Sequence, residues 1–453
     1  MSTTEAAPTG TDGGFDPQWH LRDNWGPVDD EVTATELEVE GEIPAELDGH
    51  YMRNGFNPKD KASAHWFFGH GMVHAFDLRD GTASYRNRYV HTPFNDSGSS
   101  EMKPELMMDL TNSPANTNVV RHAGRIWTLE EAHHPWEIDH DLDTIGVDDF
   151  GGKVVSAFTA HPKLCPVTGE MLAFGYSVAA PPHLHYYRFS PDGELVQVEP
   201  ITLPAGVMMH DFNITDSKVV WMDLPACFSM ERAMAGESPF FWNPDNGARL
   251  GVMPRDGGDA DVQWFDIEPG YVVHPFNSYD DGDRIVLDVS RLDTFMNGGF
   301  DDISEKGKFW RWTIDLASGS VAEEQMDDRL VDFGRVNDLY VGQKTPYAYG
   351  TQLLPNPYCP EIGSQIYKYD LATGEPEIHD MGDLVGGEAV FVGRGPDADH
   401  DDGWGMVLAY DPDNDRSELR IINGQDWSGE PAARIFTPQR VPYGAHGNWM
   451  PRL

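Results

Sequence analysis

The side chains best suited to metal chemistry in this chain are its eighteen histidines. Four of them, His161, His210, His274 and His446, each lie in a short segment where turn-forming residues meet a strand-like run. They are separated by 49, 64 and 172 residues, which excludes a compact zinc finger and suits one ligand from each of several repeated units. Neutral imidazole is a common ligand of divalent transition metals, so these histidines are candidates for a metal site.

Spacing alone does not single out these four histidines. The pairs His133/His134 and His183/His185 are further candidates for a metal site. Residues 183 and 185 would share one face of a strand, but that strand leads directly into a hairpin and is typical of a sheet surface. A single histidine in a strand is more often a surface or core residue than a ligand, so the choice needs a second argument.

The elements that must position any such site are β-strands. One pattern recurs, in which an apolar or aromatic strand ends in an acidic or hydroxyl residue and a tight turn leads into a second strand. Its copies lie at residues 73–81, 187–193, 310–319, 367–374 and, more loosely, 408–414. Repetition of one hairpin along the whole chain predicts a β-propeller with irregular insertions, and a pair of β-sandwiches is the structural alternative.

The charge balance limits which classes of molecule the protein can bind. The chain has 32 basic and 75 acidic residues, a net charge of −43, so nucleic acids and anionic lipid surfaces would repel it at low salt. The acidic residues are dispersed rather than gathered in a tail, which is the composition expected of a protein from a halophilic cytoplasm. The three cysteines, Cys165, Cys227 and Cys359, are far apart and favour a reducing compartment without disulfides.

The domain organisation follows from composition. Hydrophobic residues make up 40% of the chain, enough for a large core, and no apolar run reaches the ~20 residues that span a bilayer. The first residues are small and polar and lack the pattern of a signal peptide. We therefore predict a disordered, acidic tail over residues 1–28 and one domain over residues 29–453.

A resemblance to a known family supplies the second argument for the four histidines. Residues 49–58 and 65–74 resemble the N-terminal signature of the carotenoid cleavage oxygenases. Further similar segments follow in order, at residues 160–170, 208–215, 274–288, 387–392 with 401–404, and 443–449. The resemblance covers the chain from about residue 29 to its end. It implies a seven-bladed propeller, capped on one face by loops and short helices, with Fe(II) on the axis held by the four histidines.

The resemblance also implies which residues support the ligands. Three of the four histidines in the family are held by outer carboxylates, and the matching positions are Glu131, Glu388 and Asp332. The third position is normally a glutamate before Phe-Pro-Arg, and here Gly334 replaces that proline, so we expect a backbone shift or a bridging water at the shorter acid. Thr117 matches a threonine that restricts one coordination site near the iron.

The implied reaction is a dioxygenation that adds both atoms of O2 across one C=C bond of a carotenoid or apocarotenoid and gives two carbonyl products. Residues 226–242 are expected to form either an apolar entrance at a membrane or a packed cap loop. A stilbene-cleaving member is the alternative, but its lysine and tyrosine are replaced here by Glu130 and Phe94. An alternative of another class is a non-catalytic propeller that binds metal and serves as a platform.

Overall fold

The computed structural model of the protein describes residues 18–101, 108–178, 180–299, 302–303, 305–356 and 359–452. Short antiparallel strands dominate these residues. In chain order they are β1 (Thr33–Ala34), β2 (Val39–Gly41), β3 (Gly49–Phe56), β4 (Gly71–Arg79), β5 (Thr82–Tyr89), β6 (Asn118–His122), β7 (Arg125–Leu129), β8 (Trp136–Ile138), β9 (Thr144–Val147), β10 (Lys163–Leu164), β11 (Met171–Tyr176), β12 (His183–Phe189), β13 (Leu195–Thr202), β14 (Asn213–Ile214), β15 (Lys218–Asp223), β16 (Ala226–Phe228), β17 (Phe240–Trp242), β18 (Ala248–Pro254), β19 (Gln263–Ile267), β20 (Tyr271–Asp281), β21 (Arg284–Leu292), β22 (Lys308–Asp315), β23 (Ser320–Arg335), β24 (Tyr347–Leu353), β25 (Ile362–Asp370), β26 (Pro376–Asp380), β27 (Ala389–Gly393), β28 (Gly403–Asp411), β29 (Arg416–Asn423), β30 (Ala433–Phe436) and β31 (Gly447–Pro451).

Helices in the described residues are short. The α-helices are α1 (Pro93–Ser97) and α2 (Met230–Met234), and the 3-10 helices are Trp19–Leu21, Asp23–Trp25, Trp66–Phe68, Pro244–Asn246, Asp259–Asp261 and Asp338–Tyr340. None of these helices is long and apolar enough to cross a membrane. These short helices therefore lie in the connections between strands and do not form a layer of their own.

The strands form the seven blades of a β-propeller. The first blade is β1-β5-β4-β3-β31, and the next three are β6–β9, β10–β13 and β14-β15-β18-β19. The long strand β23 belongs to two blades, because its first part pairs with β22 and its last part with β24. The fifth and sixth blades are thus β20–β23 and β23–β26, and the seventh is β27–β30 with β2 added at its edge. This confirms the predicted propeller and excludes the sandwich alternative.

Two strand pairings close the ring. In the first blade β31 pairs with β3, and in the seventh β30 pairs with β2. Each of these two blades therefore contains strands from both the N-terminal and the C-terminal part of the chain. One edge strand of each blade faces the edge strands of the two neighbouring blades. For example, β31 of the first blade contacts β6 of the second and β27 of the seventh. These innermost strands surround the axis of the propeller.

The repeated hairpin of the sequence is present in five different blades. Its copies are β4–β5, β12–β13, β22–β23, β25–β26 and β28–β29, all antiparallel. Gly81, Gly193, Gly319 and Gly374 take the left-handed backbone conformation that these tight turns need. In the fifth copy Asp415 takes that conformation instead. The prediction of one hairpin design spread over the chain is confirmed.

The predicted tail over residues 1–28 is too long at its C-terminal end. Residues 1–17 lie outside the described residues, and the prediction stays untested there. Trp19 and Trp25 are each only 7% exposed and stand 4.9 Å apart, measured between ring centroids. Trp25 also packs against Trp66 and Tyr443 of the propeller. Large aromatic side chains gain so much from burial that this segment is fixed to the domain.

We expect Trp25→Ala to lower the free energy of unfolding by about 3 kcal/mol, because the substitution leaves a cavity among three aromatic rings. Chemical denaturation followed by intrinsic fluorescence measures this change. Met234→Ala is the control, since Met234 is 84% exposed and its loss should change stability by about 0.5 kcal/mol or less. Equal stabilities for the two variants would mean that the N-terminal segment does not support the fold.

Candidate metal centre

The four histidines lie at the axis, each on or just before the innermost strand of a different blade. His161 precedes β10, His210 precedes β14, His274 lies in β20 and His446 precedes β31. Their ligand nitrogens all lie within 4.8 Å of one another. The Nε2 atoms of His161 and His210 are 3.0 Å apart, and those of His210 and His274 are 3.2 Å apart. The structure therefore brings together the four residues that the sequence analysis selected.

Local sequence explains how two of these rings point to the axis. His161 and His274 each precede a proline, which restricts the preceding residue to extended backbone. Pro275 cannot donate a hydrogen bond, and the pairing of β20 with β21 shifts register on both sides of it. A bulge of this kind re-aims a side chain relative to the rest of its strand.

Three of the rings are held from behind by carboxyl groups, of which Glu388 is buried and Glu131 and Asp332 are half-buried. The Nδ1 of His210 lies 2.5 Å from Glu131 Oε2, that of His274 lies 3.1 Å from Asp332 Oδ1, and that of His446 lies 3.0 Å from Glu388 Oε1. A carboxylate that accepts the Nδ1 hydrogen leaves the Nε2 lone pair directed at the shared point. The three outer acids of the sequence analysis thus lie in contact with three different histidines.

The shorter acid Asp332 reaches His274 directly, without a bridging water between them. The residue after it, Phe333, has the left-handed φ of +55°, and the pairing of β23 with β24 is irregular between Asp332 and Arg335. Gly334 packs tightly, because a Cβ atom there would lie 2.8 Å from the Phe276 ring. The backbone shape of this segment therefore brings the short side chain to the ring.

Burial and charge keep two of the rings unprotonated. Burial, together with the neighbouring histidines, holds the pKa of His161 well below 6.5. Burial also lowers the pKa of His446 to about 4, although Glu388 opposes the change. For Glu388, burial alone would raise the pKa, but His446, Arg335 and the Gly447 N–H outweigh it and lower the pKa to about 2. Neutral imidazoles and an ionised acid are the states that metal binding needs.

His210 differs from these two rings. Burial lowers its pKa, but the charge and the hydrogen bond of Glu131 outweigh burial, and the pKa is raised above 6.5. The same acid is supported from the other side by Tyr176, whose hydroxyl donates to Glu131 Oε1 at 2.8 Å. Burial raises the pKa of Tyr176 well above 10, so it keeps its proton. A metal at this centre must compete with a proton at His210.

The distances between the nitrogens are those expected of ligands that share one ion. With a metal–nitrogen distance of about 2.1 Å, ligands at right angles stand about 3.0 Å apart and tetrahedral ligands about 3.4 Å. The observed separations of 3.0 and 3.2 Å lie within this range. The nitrogens of His161, His210 and His274 would therefore hold one ion between them.

Thr117 lies at the start of β6, beside the centre. Its backbone carbonyl accepts the N–H of His446 at 3.0 Å, and its hydroxyl donates to Asn116 Oδ1 at 3.0 Å. The structure thus places Thr117 next to a ligand through the backbone. Restriction of a coordination site by its side chain stays a prediction.

Sequence reasoning gave no role to four residues that surround the ligands. Besides Tyr176, Arg335 approaches Glu388 Oε1 at 3.3 Å, and Lys163 forms an ion pair with Asp211 beside His161. Lys163 and Asp211 lie close to a ligand in sequence, within segments that carry the family resemblance. Arg335 lies three residues after Asp332, and this closeness to an outer acid was its only signal. Tyr176 lies far from any histidine ligand in the chain and offered no such signal.

A cavity and an apolar cluster both border the centre. The cavity, of roughly 220 Å³, is bordered by His161, His274 and His446, by polar residues that include Asn118 and Asn448, and by Phe333. The ring of Phe333 lies 5.2 Å from that of His274 and 5.7 Å from that of His446, measured between ring centroids. Phe333 belongs to an apolar cluster with Phe56, Trp66, Leu353, Ile362, Tyr443 and Ala445.

The other histidine pairs do not join the centre. His133 is buried and its Nδ1 lies 2.5 Å from Glu130 Oε2. His183 and His185 lie on β12, where the Nδ1 of His183 is 2.7 Å from the Ser177 carbonyl. The only group of potential ligands among the described residues that could hold a metal ion is the set of four at the axis.

Comparison with known proteins decides the family. The model of the retinal pigment epithelial membrane protein family matches residues 25–451. A carotenoid cleavage oxygenase of Mycobacterium tuberculosis is 38% identical over 94% of this chain and 96% of its own length. The chain belongs to the carotenoid cleavage oxygenase family.

Other members of the carotenoid cleavage oxygenase family extend the comparison. A carotenoid 9,10(9',10')-cleavage dioxygenase of Crocus sativus is 34% identical over 95% of this chain and 88% of its own length. The crystal structure of a lignostilbene dioxygenase from Pseudomonas brassicacearum superposes with a TM-score of 0.87 at 29% identity, covering 99% of this chain and all of that one. The chain is therefore a dioxygenase rather than a non-catalytic platform.

Asp332 gives a test of the outer carboxyl groups. We expect Asp332→Ala to weaken the affinity for a divalent metal by about 10-fold to 100-fold, because His274 loses the acceptor of its Nδ1 hydrogen. Asp332→Glu, which restores the usual acid of the family, should retain most of the affinity. Competition with a chromogenic chelator measures both values. Equal losses in the two variants would show that the site is built around the shorter acid.

Proposed function

We propose that this chain is a non-haem Fe(II) dioxygenase that cleaves one C=C bond of a carotenoid or apocarotenoid. One alkene and one O2 give two carbonyl products, so each oxygen atom ends in a different fragment. The observation that carries the proposal is the set of four imidazoles facing one point, with an apolar cluster directly beside it. The names of the relatives, most of which cleave carotenoids, support this choice of substrate.

The ligand set supports iron. Four imidazoles without a carboxylate ligand leave a ferrous complex positively charged, which disfavours oxidation to the ferric state. A bound ferrous ion would activate O2 toward the alkene, and the alkene itself supplies the four electrons that reduce O2 to the two carbonyl oxygens. The carboxyl groups of Glu131, Asp332 and Glu388 orient three rings and keep their Nε2 atoms available.

The apolar cluster beside the centre suits a polyene substrate. Phe333 covers His274 and His446, and Trp66 and Tyr443 continue the cluster away from the axis. Such a surface offers no hydrogen bond to a reacting carbon, so it selects the substrate by shape and by exclusion of water. The bond that is cleaved would be decided by where the polyene lies relative to the four rings.

A stilbene substrate is the second candidate, supported by the similarity to a lignostilbene dioxygenase. Two positions count against it. Glu130 makes hydrogen bonds with His133 Nδ1 at 2.5 Å and with the Ala132 N–H at 3.0 Å, and its negative charge would repel a phenolate. Phe94 is buried against His70 and carries no hydroxyl. Isomerisation without cleavage has no specific support from the site.

Product analysis tests the proposed reaction. The iron-loaded enzyme is incubated in high salt, which its acidic composition favours, with a panel of carotenoids, apocarotenals and stilbenes. We expect about one iron per chain, one O2 consumed for each bond cleaved, and aldehydes that carry labelled oxygen when labelled O2 is used. His210→Ala should lose iron and activity together.

Three results would contradict the proposal. Cleavage of stilbenes alone would favour the second candidate, and full activity of His210→Ala would remove His210 from the ligand set. Retention of zinc instead of iron after expression in iron-rich medium would contradict the cofactor. Each of these results concerns a different part of the proposal.

Residues 226–242 are proposed as the entrance at a membrane surface. The segment forms the hairpin β16–β17 with α2 at its tip, where Met230 is 52% and Met234 84% exposed. Behind them the rings of Phe240, Phe241 and Trp242 are half-buried. An apolar tip of this kind can enter the boundary of a lipid layer, while the acidic surface of the protein avoids anionic headgroups.

We expect Met230→Asp combined with Met234→Asp to reduce co-sedimentation with uncharged phosphatidylcholine vesicles by at least 5-fold, because charged side chains resist entry into the lipid boundary. Val167→Asp is the control, since Val167 is 63% exposed and lies outside the hairpin. Unchanged vesicle binding of the double variant would leave the hairpin as a packed cap loop.

A further inference from the structure

His161 is the one ligand without a hydrogen-bonded outer acid. Its Nδ1 lies 3.7 Å from Asp211 Oδ2, too far for a hydrogen bond and close enough for a strong charge–dipole interaction. His161 is 7% exposed and Asp211 is 3% exposed, so water screens this interaction little. The position of Asp211 behind His161 corresponds to that of the three other acids behind their rings.

Asp211 is held firmly in place. Lys163 Nζ lies 2.7 Å from its Oδ1 and 2.9 Å from its Oδ2, and the Phe212 N–H donates to Oδ1 at 2.6 Å. A buried carboxylate is strongly unfavourable without such partners. The carboxylate is therefore fixed by three contacts that do not involve His161.

The chain positions of these residues make the ion pair a link between two ligand segments. Lys163 follows His161 by two residues and Asp211 follows His210 by one, so the pair joins the segment of one ligand to that of another. Breaking it would free both His161 and the turn that carries His210. Among the outer acids, Glu388 has a comparable cation in Arg335.

We propose that Asp211, clamped by Lys163, is a positioning residue that orients the ring of His161 toward the metal. The inference rests on the proposed metal centre and adds a fourth outer acid to the three that the family resemblance implies. Asp211 contacts neither the metal point nor a substrate, and acts through His161. Lys163 acts one step further out, by holding Asp211 in the orientation that faces the ring.

The test measures metal affinity of the full chain and does not depend on turnover. Metal-free protein is titrated with Co²⁺ against a chelator, and the visible absorption of bound Co²⁺ reports the ligand field. We expect Asp211→Asn and Lys163→Met to weaken Co²⁺ binding by about 10-fold or more and to change the absorption spectrum. Lys163→Arg, which keeps the positive charge, should restore most of the affinity.

A second buried pair provides matched controls. Lys368 Nζ lies 2.9 Å from Asp401 Oδ2, and its side chain is 6% exposed, but the pair touches none of the four histidines. Lys368→Met and Asp401→Asn should lower thermal stability and leave Co²⁺ affinity within about 2-fold of the wild type. These variants separate a loss of fold stability from a loss of ligand orientation.

The outcomes are distinct. Wild-type affinity and spectrum in Asp211→Asn, or equal losses in Lys163→Met and Lys368→Met, would overturn the inference. If Asp211→Asn does not fold, Lys163→Met and Lys163→Arg decide the question alone. A wild-type chain that binds no Co²⁺ would instead contradict the metal centre, and a chain that binds it normally without cleaving carotenoids would contradict only the proposed reaction.

Discussion

The pairing of β31 with β3 is the interaction on which the centre depends. It carries the last ligand, His446, from the end of the chain to the axis, where the other three ligands arrive from the third, fourth and fifth blades. Two backbone hydrogen bonds fix the position of His446. Its N–H donates to the Thr117 carbonyl, and its own carbonyl accepts the N–H of Asn54. An open ring would leave three ligands, so metal binding and closure of the propeller stabilise each other.

Within the closed ring, electrostatics prepares the site for a divalent cation. Four carboxyl groups, those of Glu131, Asp211, Asp332 and Glu388, stand behind the four histidine rings. Lys163 pairs with Asp211, and Arg335 pairs with Glu388. Buried acids of this kind are unfavourable by themselves, and this raises the affinity for the ion.

Polar and apolar residues meet at the centre. The innermost strands supply asparagines, a lysine and an arginine to the cavity, and they also supply Phe333. Phe333 packs against an apolar cluster that contains Trp19, Trp25 and Trp66. The segment before the first strand therefore helps to build the surface proposed for the substrate.

The sequence by itself determined the repeated hairpins and, through the segments similar to the family, the four histidines and the acids Glu131, Asp332 and Glu388. These are properties of short segments, because the residues that favour a tight turn, or that make a segment similar to the family, lie within a few positions of one another. Only the tertiary structure decided that residues 19–25 pack on the propeller, that Tyr176 supports Glu131 and that Lys163 reaches Asp211. These contacts join residues that are 45 positions apart in the chain for Tyr176 and Glu131, 48 for Lys163 and Asp211, and 418 for Trp25 and Tyr443. Alternation and turn chemistry specify which face of a strand a side chain occupies, but the partner across the interface is set by how the blades close around the axis.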